Sequence, residues 1–130
     1  MAIKVSSTTV IDDNKVFLPT NASSAAATTS ISGGTVTLDL NTYTVFNISL
    51  NANISTFTIQ NVQSAGRSSS FVIVFTADGT ARSVTWPTSF KWPGGSAPTL
   101  TSTSTKKDVF VFFTTDGGTT WQAFISGQNL

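Results

Sequence analysis

The sequence predicts an all-β fold: a two-sheet sandwich of jelly-roll type, entered through an extended N-terminal arm. Three observations carry this. Ser, Thr and Val dominate the chain, Glu is absent, and strong helix formers are scarce. Two five-residue apolar runs, Phe71-Val72-Ile73-Val74-Phe75 and Val109-Phe110-Val111-Phe112-Phe113, are rich in β-branched and aromatic residues. Short alternating segments recur about every ten residues with Asx and Gly turn signals between them, the pattern of a sandwich or barrel.

The chain opens with an arm and linker over residues 1–32. Ile3 to Val10 alternates weakly, Val10-Ile11 precedes Asp12-Asp13-Asn14, and Val16-Phe17-Leu18 ends at Pro19. The Ala/Ser/Thr tract from Asn21 to Ser32 offers little apolar surface to bury. Two readings stand side by side: an arm whose anchors Val10, Ile11, Val16, Phe17 and Leu18 a partner surface orders, or a first strand of the main sheet.

The β domain runs over 33–130, from Gly33-Gly34. Thr35 to Leu40 sets Val36, Leu38 and Leu40 on one face. Tyr43 to Leu50 sets Phe46, Ile48 and Leu50 opposite Val45, and Ile54 to Val62 carries Phe57 and Ile59 on one face. The run Phe71–Phe75 shows no alternation, which fits a central strand covered on both faces, and Asp78-Gly79 turns it back as a hairpin into Ala81 to Trp86.

All three Trp and five of the ten Phe fall in the last third of the chain. Pro87 and Pro93 each push the Trp before them, Trp86 and Trp92, into extended backbone. Val109–Phe113 then forms a hairpin with the strand carrying Trp121, through the turn Asp116-Gly117-Gly118. The two halves echo each other without a strict repeat, and two hairpins in one sandwich account for the echo.

Composition excludes several functions. The net charge of +1 with few charged residues gives no electrostatic case for nucleic acid or an anionic membrane. The lack of Cys removes thiol catalysis and thiolate metal sites, and the lack of His removes the commonest general base and metal ligand. Met1-Ala2-Ile3-Lys4 has no apolar core of a signal peptide. Asp78 and Asp116 could be called a carboxylate pair, yet each precedes a turn Gly, where Asp is favoured for its backbone bonds. No catalytic residue, cofactor or metal is expected. Trp86, Trp92 and Trp121 could stack on sugar rings; the plain alternative is core packing, since Trp is highly buried on average.

Trp86-Pro87, then Lys91-Trp92-Pro93-Gly94-Gly95, then Ala97-Pro98-Thr99-Leu100, are followed by Asp108-Val109-Phe110-Val111-Phe112 and Asp116-Gly117-Gly118. This passage resembles the C-terminal module of bacteriophage virion proteins, the tail-fibre and capsid-associated structural proteins. Phe124 to Asn129 resembles their usual chain end, and Ile3 to Asp12 is similar to a segment preceding such modules in tail fibres. The resemblance covers the last half and the first dozen residues, and it departs from longer fibres in lacking shaft repeats and a receptor tip. It implies a non-enzymatic structural role in the virion. The expectation is a capsid decoration (cement) protein whose arm clasps the major capsid protein, assembled as a homotrimer. The alternative is a short tail or tail-fibre-associated protein that contacts host glycan, and a free carbohydrate-binding module is the reading from another class.

Overall fold

The computed structural model describes the backbone of Ile3–Val5 and Thr8–Ile11, and residues 25–130 in full. The described residues are almost all strand and connecting loop; the single helical element is a 3-10 turn at Pro93–Gly95. The strands are β1 Ile3–Val5, β2 Thr8–Ile11, β3 Ala27–Thr29, β4 Thr35–Asp39, β5 Val45–Leu50, β6 Thr56–Gln60, β7 Ser69–Ala77, β8 Phe90–Lys91, β9 Lys107–Thr114 and β10 Trp121–Gly127.

They pair as a six-stranded mixed sheet in the order β3-β5-β7-β9-β10-β8 and two small sheets, β4-β6 and β1-β2. The antiparallel pairing a jelly roll requires is confined to one part of the domain. From β3 to β7 the chain alternates between the large sheet and the β4-β6 sheet, and same-sheet neighbours run parallel: β3 with β5, β5 with β7, β4 with β6. A bridge between Ile54 and Val84, also parallel, extends the β4-β6 side by one more turn of chain. Antiparallel pairing in the large sheet comes through β7 with β9 and β9 with β10, and β8 closes its edge parallel to β10.

The turns explain this winding. Gly34 adopts φ +78°, and its carbonyl accepts the Ser55 and Thr56 N–H groups, stitching the start of β4 to the start of β6. A Cβ at Gly34 would lie 2.7 Å from Ser55 Oγ, so the close approach needs glycine. Asp78-Gly79 does reverse the chain, but toward the bridge at Val84 rather than into an adjacent antiparallel strand; the hairpin expected there is not formed. Asp116-Gly117-Gly118 does close one: β9 and β10 pair in antiparallel register, Phe113 opposite Gln122.

Alternation then decides the core. Phe46, Ile48 and Leu50 of β5, Phe71, Ile73 and Phe75 of β7, Phe110 and Phe112 of β9, and Trp121 and Ala123 of β10 point to one face. They form one buried cluster with Val36 and Leu38 of β4, and with Ile54. The opposite face of the large sheet stays partly open, so β7 and β9 are central but covered on one face only.

The sheet also starts earlier than the Gly33 boundary. Ala27 is buried and β3 pairs with β5, so part of the Ala/Ser/Thr tract is edge strand. The expected arm contains the β1-β2 ladder, which is separate from the main sheet, and Val10 and Ile11 fall in β2. Val16, Phe17 and Leu18 lie outside the described residues.

Candidate functional site

Four Asp side chains fall among the described residues outside the arm, and each is committed to its own backbone surroundings. Asp116 accepts from the Thr120 N–H at 2.9 Å and the Thr114 hydroxyl at 2.7 Å. These bonds hold its carboxyl below the usual carboxylate range. Asp78 pairs with Arg82 and accepts the Thr80 N–H at 2.9 Å, which lowers its pKa in the same way. Asp39 is lowered by the Asn61 amide at 2.6 Å and the Asn41 N–H at 3.0 Å.

Asp108 is the buried one, 2 % exposed. Burial raises its pKa, but four donors outweigh it: the Thr101 N–H and hydroxyl, both at 2.7 Å, the Asn129 N–H at 3.0 Å and the Gln128 amide at 3.3 Å. The net shift is downward. Asp108 thus ties the loop after Leu100 to the end of the chain. A general acid needs a carboxyl raised toward neutrality; all four are lowered. Among the described residues no three acids stand close enough to hold a metal ion. Asp12 and Asp13 lie outside those residues.

The aromatic candidates are packed inward. Trp121 is 2 % exposed and meets Phe71 edge-on at 5.0 Å; Trp92 is 8 % exposed and meets Phe110 edge-on at 5.6 Å. Trp86 is half-buried and lies flat on Phe57, with ring centroids 5.3 Å apart. Trp86 and Trp92 cross at 67°, so they offer no common plane to a sugar. The extended backbone at each Trp-Pro step carries the two indoles over Phe110 and Phe112, which is core packing rather than the glycan platform considered above.

The aromatic residues that do face solvent are others. Phe113 and Phe124, 38 % and 47 % exposed, stack at 5.9 Å with planes 9° apart on the open face of the large sheet. Around them register places Val45, Val72, Val111 and Phe124 in one row across four strands, and Asn47, Val74 and Val109 in the next. The sequence hid this row inside two continuous apolar runs. The signal that could have found it is period two: Val109, Val111 and Phe113 share one parity, Phe110 and Phe112 the other.

No helix of the described residues is long and apolar enough to cross a membrane. No family model matches this chain, and neither a curated protein nor a solved structure matches it.

Proposed function

We propose that this chain is a non-enzymatic structural protein of the bacteriophage virion, a capsid decoration protein held to the major capsid protein by its N-terminal segment. The observation that carries the reading is the Trp86-Pro87 to Gly94-Gly95 passage, with Asp108–Phe112 and Asp116-Gly117-Gly118 after it, which resembles the C-terminal module of such proteins. The geometry supports the non-enzymatic part. These motif residues serve packing and turns: Trp92 fills the core, Asp108 locks the chain end, Asp116 shapes a hairpin. A protein present in many copies reinforces a shell through repeated weak contacts, and homo-oligomerisation, as the trimer the resemblance implies, multiplies them.

A position on the tail is the second reading, favoured by the likeness of Ile3 to Asp12 to segments of tail fibres. Gold-tagged antibody on intact parent virions separates the two in the electron microscope. Gold over the head is the expected result. Gold on the tail selects the second reading, and virions without gold overturn both.

A further inference from the structure

The open face of the six-stranded sheet has no partner among the described residues. Four rows of side chains cross it. Ser70, Phe113, Gln122 and Lys91 form the first, and Val45, Val72, Val111 and Phe124 the second. Thr28, Asn47, Val74 and Val109 form the third, and Ser49, Thr76 and Lys107 the last. The middle rows are mostly apolar, and the charged residues on the face, Lys91 on the edge strand β8 and Lys107 in the last row, both lie at its margins.

With strands about 4.8 Å apart and 3.4 Å of rise per residue, four strands make a patch roughly 20 Å on a side, about 400 Å² in projection. This is the size of the largest apolar patch on a typical monomer, which is often a functional one. The occupant follows from size and charge. A single extended segment is about 5 Å wide and would cover roughly a quarter of the patch. A second sheet face covers all of it. Two such faces bury about 800 Å² in projection, the size of a weak, reversible protein interface. A face whose two cations, Lys91 and Lys107, sit at opposite margins brings no like-charge clash at the centre of a self-contact.

We infer that this face, centred on Val72 and Val111 and flanked by the Phe113–Phe124 stack, is the surface through which copies of this chain assemble, sheet against sheet. The inference takes up the homo-oligomer of the proposed function and gives it an interface. It also explains why both central strands read as covered on two faces: the second cover comes from another copy.

Sedimentation velocity on the purified full chain tests it, so the result stands apart from where gold falls on a virion. The intact chain is expected to sediment as two or more copies at micromolar concentration. Val111→Lys at the centre and Phe124→Ser at the exposed stack should each weaken association by about 100-fold, with the native circular dichroism retained. Replacing Val16, Phe17 and Leu18 together by Ser should leave the assembly intact. A monomeric intact chain would overturn the inference. So would assemblies that survive both face substitutions, or that are lost on substitution of Val16–Leu18.

Discussion

Trp86 lies flat against Phe57 of β6, its ring 5.3 Å away and inclined by 7°, and its nearest other aromatic neighbours are Trp92 at 4.9 Å and Phe110 at 5.6 Å. One indole therefore joins the small sheet to the core face of the large one. Trp86→Ala should cost about 2–4 kcal/mol and Trp92→Ala roughly 3–5 kcal/mol in denaturant unfolding. Trp92→Phe should cost far less than Trp92→Ala, because the Trp92 indole N–H is buried without a partner and its removal relieves a desolvated donor. Equal losses for the two Trp92 variants would show that the N–H contributes.

Asp108 gathers donors from two distant stretches, Thr101 on one side and Gln128 and Asn129 on the other. Asp108→Ala strands those donors and should cost about 2–4 kcal/mol. The pH dependence has a defined sign. The folded-state pKa is depressed, so the stabilisation is present above the ordinary carboxylate range and is lost as pH falls through and below it. Urea midpoints measured from pH 7 to pH 3 should fall for the native chain and fall less for Asp108→Asn.

Asp78 and Asp116 shape turns. Asp116→Ala should lower the melting temperature slightly, through the loss of the Thr120 N–H bond, and Asp78→Ala likewise through Thr80. On the proposed virion role, neither should alter attachment in a binding assay. Loss of attachment with an unchanged melting curve would move either residue from turn to interface.

The N-terminal segment can be separated from the sheet at a defined point. A chain beginning at residue 25 keeps β3 and should fold, giving the β spectrum of the intact protein, and on the proposed role should lose virion attachment. A chain beginning at residue 31 loses Ala27–Thr29 and with it the edge pairing to Phe46 and Ile48, so its melting temperature should be lower than that of the chain from residue 25. Attachment by the chain from residue 25 would show that the segment is not the anchor.

The amino-acid pattern alone determined that the protein is built of strands, where most of them lie, and which parity of each is apolar. Val36 and Leu38, and Phe46, Ile48 and Leu50, are buried as their alternation requires, because side chains on a strand point to opposite faces in turn. It also identified the Asp116-Gly117-Gly118 hairpin, whose geometry is local. Tertiary structure decided what local chemistry does not encode: which strand lies beside which. Asp78-Gly79 and Asp116-Gly117 look alike as residues, yet one sends the chain across to the Ile54–Val84 bridge and the other folds it back on its neighbour. A turn signal specifies a reversal, not a pairing partner. Parallel winding from β3 to β7 depends on contacts between residues far apart in the chain, and so does the inward turn of Trp86, Trp92 and Trp121. The same holds for the open face: whether Val111 and Phe113 are covered depends on which sheet packs against them, and within one copy of the chain the small sheet packs on the other side.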